Sequence, residues 1–215
     1  TDALEKYKGA LALNQSHLPS LEAVGPLFIA AEEWGEAART FKQILQLTGG
    51  HGDANKLSRV YTNLGVVEYN QGDEAKALKR FNKALEMQPN DVRALQGYGR
   101  ILFDKQDWNS LLTVYNNIIY HAQEPSDVVD AYLTKGFVLD AKLSLSDKAA
   151  QHYEKSLAFD PAQPVALLRL AELSLRREAW PDALSLADRA RSLPMENVSP
   201  HARTDLEMVR AVALD

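Results

Sequence analysis

Residues 61–91 read YTNLGVVEYNQGDEAKALKRFNKALEMQPND. Tyr61, Leu64 and Gly65 come first, then a Gly72-Asp73 turn, then Ala77, Phe81 and Ala84, and Pro89 closes the stretch. The three-to-four spacing on each side of the turn predicts two amphipathic helices lying back to back. A single hairpin cannot bury such a face alone, whereas stacked copies can. The reading of the whole chain therefore depends on whether the pattern recurs.

It does. A step of 34 residues carries Tyr61, Leu64 and Gly65 onto Leu95, Tyr98 and Gly99, and Ala77, Phe81 and Ala84 onto Leu111, Tyr115 and Ile118. Upstream, Leu21, Val24 and Gly25 precede Ala37, Phe41 and Ile44. Downstream, Tyr132 and Gly136 lead to Ala149, Tyr153 and Ser156 before Pro161, with one extra residue expected in the loop near KLSLSDK. A further unit has Leu167, Leu170 and Ala171, then Ala183, Ala187 and Ala190.

These residue types at these intervals resemble the tetratricopeptide repeat (TPR) family, whose signature is W-x2-L-G-x2-Y, then A-x3-F, then P. The resemblance covers roughly residues 1–197. It implies an all-α fold: a right-handed superhelical solenoid of stacked antiparallel helix pairs. The expected organisation is a single domain over 1–215, with a half repeat at 1–17, repeats at 18–51, 58–91, 92–125, 129–163 and 164–197, and a capping helix at 199–214. In the half repeat, Ala3, Tyr7, Ala10 and Leu13 take the places of Ala77, Phe81, Ala84 and Met87, so the chain reads as a fragment of a longer array. At the other end Ser199 suits a helix N-cap and Pro200 its first turn. Ala202, Leu206, Val209 and Ala213 then form an apolar face over the last repeat. Pro26 departs from the pattern and predicts a kink in its helix or a helix start nearby.

Packing roles follow. Gly65 has no side chain, so the second helix of its unit can approach closely, and Phe81 fills the gap between units. Gly99, in phase with Gly65, makes GYG at 97–99 a packing feature rather than the start of a dinucleotide fingerprint.

Composition narrows the function. The 215 residues carry a net charge of −5, without the dense basic stripe of a nucleic-acid binder. No apolar run is long enough for a transmembrane helix and no signal peptide is visible, which with zero Cys suggests a cytoplasmic protein. The five histidines, His17, His51, His121, His152 and His201, form no metal-ligand pair. TGGHGD at 48–53 lacks the Lys-Ser/Thr of a phosphate loop and reads as a helix-ending loop. No catalytic, cofactor or metal residues are assigned, and the chain is not expected to be an enzyme.

The resemblance implies a protein-interaction scaffold that binds along its first helices. Two adjacent units offer Arg59, Thr62, Asn63, Val66, Tyr69 and Asn70, then Arg93, Gln96, Arg100, Phe103 and Asp104. Of these, Arg59, Asn63, Tyr69, Asn70, Arg93, Gln96, Arg100 and Phe103 form the expected peptide-binding groove. Arg grips a carboxylate with two parallel hydrogen bonds, so the expected partner is a protein or an extended peptide carrying one, with no nucleic acid and no inserted membrane. The carboxylate clamp by which some TPR proteins hold chaperone tails is matched by Asn63 and by Arg93 in place of Lys, but not by Glu22, Pro26 or Gly97. The arginines Arg169, Arg176 and Arg177 read as a salt-bridged face, with Glu172 pairing one of them. The alternatives are a self-assembling array, a homo-oligomer through exposed terminal repeats, or the docking region of a larger enzyme or membrane protein.

Overall fold

The computed structural model describes residues 2–49, 52–194 and 200–214. Ser199, the expected N-cap, lies outside them, as do Gly50 and His51 of the glycine-rich loop. The described residues form twelve α-helices and no strand. These are α1 (Asp2–Leu13), α2 (Leu18–Ala30), α3 (Trp34–Thr48), α4 (Ala54–Asn70), α5 (Glu74–Met87), α6 (Val92–Asp104), α7 (Trp108–His121), α8 (Pro125–Phe137), α9 (Ser146–Phe159), α10 (Pro164–Arg176), α11 (Trp180–Arg191) and α12 (Pro200–Leu214). They fall into two units, Thr1–Asp107 and Trp108–Asp215.

In the first unit, α2 pairs with α3 and α4 with α5, and α6 packs beyond them. Helix α2 runs unbroken through Pro26 from Leu18, so its start is set by Pro19 in the first turn rather than by Pro26. The turns joining paired helices each hold one residue in the left-handed region. Gly72 fills that position between α4 and α5 (φ 81°), and Glu32 does so between α2 and α3 (φ 57°). Asp53, Asp73 and Asp91 cap α4, α5 and α6, their carboxylates accepting backbone N–H groups that the first helical turn leaves unpaired.

Phe81 is 1% exposed and governs the packing of α4, α5 and α6. A Cβ on Gly65 would stand 2.7 Å from its ring, and a Cβ on Gly97 would stand 2.3 Å from it. The ring is thus held between two bare stretches of helix backbone, one from its own pair and one from the next. Gly97, two residues before the in-phase Gly99, makes room for it. The same notch receives Phe41 at Gly25, where a Cβ would lie 2.7 Å away. Around that contact Leu21, Val24, Phe28, Ile44, Val60, Leu64 and Val67 form one core. Leu4, Tyr7 and Leu11 of α1 pack onto this core. The packed face of α1 is therefore offset from the expected Ala3–Tyr7–Ala10–Leu13 stripe, and Leu13 is 92% exposed.

In the second unit, α8 pairs with α9, and α10 with α11. Tyr153 repeats the notch contact, with a Cβ on Gly136 reaching to 2.5 Å of its ring. The glycine and the aromatic are here one residue further apart than in the first unit. The expected extra loop residue is instead absorbed in a π-helical turn, Val138–Lys142, that continues α8. The wider turn takes up one residue without moving Tyr153 off Gly136. Leu206 and Val209 of α12 are buried against Ala183, Ala187 and Ala190 of α11, with Ala202 and Ala213 beside them, as the apolar face predicted.

Gly97→Ala is expected to destabilise the chain by about 1–3 kcal/mol through overpacking, because a ring closed in on two sides cannot swing away. That loss exceeds the gain of about 1 kcal/mol that alanine brings to a helix. Gly9, inside α1, has nothing within 4 Å of its Cβ position, so Gly9→Ala gains the helix propensity alone. Urea unfolding of the two variants should show opposite signs, and shifts of the same sign would contradict the notch.

Candidate peptide-binding groove

The groove residues come from two parallel stripes in the first unit. On α4, Arg59, Asn63, Val66 and Asn70 follow at three- and four-residue steps, and on α6, Arg93, Gln96, Arg100 and Phe103 do the same. Arg59, Asn70, Arg93 and Arg100 are exposed, while Tyr69, Gln96 and Phe103 are half-buried.

Polar ties fix the two helices in register. The Asp91 carboxylate accepts the N–H groups of Arg93 and Ala94 through Oδ1, at 3.1 and 3.2 Å. Its Oδ2 accepts the hydroxyls of Ser58 at 3.0 Å and Thr62 at 3.1 Å. One carboxylate therefore caps α6 and clips it to α4. Thr62, expected in the groove, is 2% exposed and belongs to this clip. Glu68, also 2% exposed, accepts two hydrogen bonds from the Arg80 guanidinium, at 3.1 and 3.4 Å, and ties α4 to α5. The Tyr69 hydroxyl donates to Asp104 Oδ2 at 2.7 Å, a third link between α4 and α6. That bond, aided by burial, raises the pKa of the phenol. Asn70 turns back on its own helix, donating to the Val66 carbonyl at 2.8 Å.

A cavity of about 80 Å³ opens between α2 and α4. Glu22, Pro26, Lys56, Arg59 and Asn63 surround it, over a floor of Phe41, Ile44 and Val60. Asn63 is 6% exposed, and among the described residues its side-chain amide makes no hydrogen bond. Three of the five clamp positions, Glu22, Pro26 and Asn63, thus meet in one cavity. A fourth, Gly97, faces Phe81, so no arginine can stand there. Among the described residues, Arg59, Arg93 and Arg100 form no salt bridge.

The second unit contrasts with this. Arg169 bonds Glu172 at 2.8 Å, as expected for one of the three arginines there. Arg176 grips Asp140 with two hydrogen bonds at 3.0 and 2.7 Å, and Arg177 bonds Asp147 at 2.6 Å. The Arg176 bonds hold the Asp140 carboxyl below the usual range. Every cation of that stretch is neutralised, and two of the partners lie 30 or more residues away, where spacing along one helix does not reach. Among the described residues no three His, Asp or Glu side chains are grouped to hold a metal ion, and no helix is long and apolar enough to cross a membrane.

With this geometry in view, a model of the tetratricopeptide repeat matches residues 58–91, the stretch that holds α4, α5 and Asp91. The chain thus carries a tetratricopeptide repeat at 58–91, within a helical array of the TPR kind. It is 31% identical to the RNA polymerase-associated protein CTR9 of Caenorhabditis elegans, in an alignment of 119 positions that covers 49% of this chain. The chain spans only 8 to 10% of the length of the curated relatives it matches. Among solved structures, it is similar to pilF of Pseudomonas aeruginosa, with 16% identity, a TM-score of 0.72, and coverage of 92% of this chain and 87% of that one. It is also similar to YrrB, a TPR protein with an unusual peptide-binding site, with 17% identity, a TM-score of 0.64, and coverage of 98% and 97%. At such identities the likeness is one of fold.

One titratable group in this TPR array sets a pH dependence. The His152 ring lies tilted against Tyr132, with centroids 5.8 Å apart, and its Nδ1 is buried without a hydrogen-bond partner. Burial, with Lys135 and Lys155 adding repulsion, lowers its pKa to about 4. The folded chain holds His152 neutral, whereas the unfolded chain protonates it near pH 6.5. Its contribution is complete above about pH 6.5 and is lost as pH falls toward 4. His152→Gln should therefore lose less stability than the parent chain between pH 7 and pH 5 in urea unfolding. Equal losses would mean that the histidine is not held neutral.

Proposed function

We propose that this TPR chain is a non-catalytic scaffold that holds an extended segment of a partner protein along α4 and α6 of its first unit. The observation that carries this reading is Asn63. Its side-chain amide lines a cavity and makes no hydrogen bond within the fold among the described residues, so a partner can bond it without breaking a contact. A peptide backbone offers both a donor and an acceptor to it. Arg59 lines the same cavity, and Arg93 and Arg100 lie on α6; among the described residues none of the three has a carboxylate of its own, in a chain of net charge −5. An acidic side chain or a terminal carboxylate on the segment would complete them. Helices already fixed by Asp91 and Glu68 lose little further entropy on binding, which favours affinity. YrrB, similar in fold, is a TPR protein with a peptide-binding site, and this supports the class of ligand.

The reading is tested by capturing partners on this chain and on Arg93→Glu/Arg100→Glu, then measuring affinity by calorimetry. The double variant should lose binding by a hundredfold or more, about 3 kcal/mol, with helicity and melting temperature nearly unchanged. Asn63→Ala should weaken binding about tenfold. A partner bound equally by all three proteins would place the site elsewhere. Recovery of the chain itself as sole partner would favour self-assembly through its ends.

A further inference from the structure

A second cleft of about 580 Å³ lies in the first unit, away from α4 and α6. Its volume is within the range of ligand sites. Three helices build it, each through one stripe. Leu21 and Phe28, two turns apart on α2, make the floor, and Leu11 of α1 extends it. The wall along α3 is its N-cap residue Glu33 with Glu36, Thr40 and Gln43, at steps of three, four and three. One end is shut, because Gln43 Nε2 donates to the Gln15 carbonyl at 2.8 Å. The other end is where the two carboxylates stand.

Two groups in this cleft lack partners. Thr40 is 6% exposed, and among the described residues its hydroxyl makes no hydrogen bond. Threonines inside helices usually donate to a carbonyl of the preceding turn, as Thr48 does to Ile44 at 2.9 Å. The charges are uneven too. Glu36 is held by Arg39 at 2.7 Å, and Lys8 lies 3.5 Å from Glu5 and over the Phe28 ring. The half-buried Glu33 has no ionic partner among the described residues. The uncompensated charge of the cleft is therefore negative, and it sits at the open end beside an apolar floor.

We propose that this cleft is a second binding site, for a partner peptide that lays an apolar side chain on Leu21 and Phe28 and brings a Lys or Arg to Glu33. Thr40 then meets the peptide's polar backbone. A peptide fits better than one small cation, because a wedge lined along three helices offers a floor, a polar wall and an ionic terminus in series. The site is independent of the groove on α4 and α6 and asks for the opposite charge.

Two blocked peptides, acetyl-Leu-Gly-Gly-Arg-amide and acetyl-Leu-Gly-Gly-Glu-amide, are titrated into the ¹⁵N-labelled full chain and followed by NMR. The arginine peptide should shift the amides of Glu33 and Thr40 and bind about tenfold more tightly than the glutamate peptide. Glu33→Gln should remove that preference. It is a mild change, because the Glu33 side chain makes no capping bond to α3, and an unchanged melting temperature verifies this. Thr40→Val, of similar shape, should weaken the arginine peptide further. The Arg93→Glu/Arg100→Glu variant should bind it as the parent does, whatever becomes of the groove reading. Equal binding of the two peptides, a preference that survives Glu33→Gln, or no shift at Thr40 at millimolar peptide overturns the proposal. So does a doubled mass in size exclusion that closes the cleft to peptide, which would seat a second copy there.

Discussion

Most of this architecture depends on one steric requirement: an aromatic ring must enter between two helix backbones with nothing in its way. Phe81 does so between Gly65 and Gly97, Phe41 against Gly25, and Tyr153 against Gly136. Each ring buries an apolar surface worth about 1.5–3 kcal/mol, but its larger effect is on geometry. A ring that fits in one place sets how far apart its neighbouring helices stand. The alanines at 77, 84, 149, 183, 187 and 190, all fully buried, keep the remaining distances short. Stacked pairs then share continuous cores, which no single pair could form.

The polar ties work on top of that spacing. Asp91 satisfies the start of α6 and the hydroxyls of Ser58 and Thr62 with one carboxylate, so the register of α6 against α4 is held by hydrogen bonds as well as by packing. Glu68 and Arg80 do the same between α4 and α5. Removing Arg80 would leave the buried Glu68 carboxylate uncompensated, whereas the half-buried Arg80 without Glu68 could still reach water. These ties consume the polar side chains that face inward. On the outer stripes of α4 and α6, Arg59, Arg93 and Arg100 are exposed and form no salt bridge among the described residues.

Much of this was legible in the sequence, for a physical reason. Period and residue size are local quantities, and the notch needs a glycine and an aromatic at a nearly constant interval. The helix pairs, the roles of Gly65, Phe81 and Ala77, and the apolar face of α12 follow from that alone. What escaped the reading was decided across space. Thr62 lies on the same broad helix stripe as Asn63, but Asp91, 29 residues further on, draws it inward. Gly97, which the 34-residue step does not single out, meets Phe81 because the ring projects past its own pair. The partners of Arg176 and Arg177 stand on other elements. Glu32 and Glu178 take the left-handed turn position that Gly72 fills, so a search for glycine misses those turns. The extra residue before Tyr153 could be counted, but not placed, since a loop and a π turn absorb it equally well.

The central claim is that one ligand engages both the unpaired Asn63 amide and the arginines of α4 and α6 on preformed helices. The direct measurement is the side-chain NMR spectrum of Asn63, Arg59, Arg93 and Arg100 during titration with a peptide selected for binding from a random library. The account predicts that the Asn63 amide resonances and the three arginine Nε resonances move together, with the same saturation, while backbone amides of α5 stay in place. Saturable binding that leaves Asn63 unmoved would contradict it.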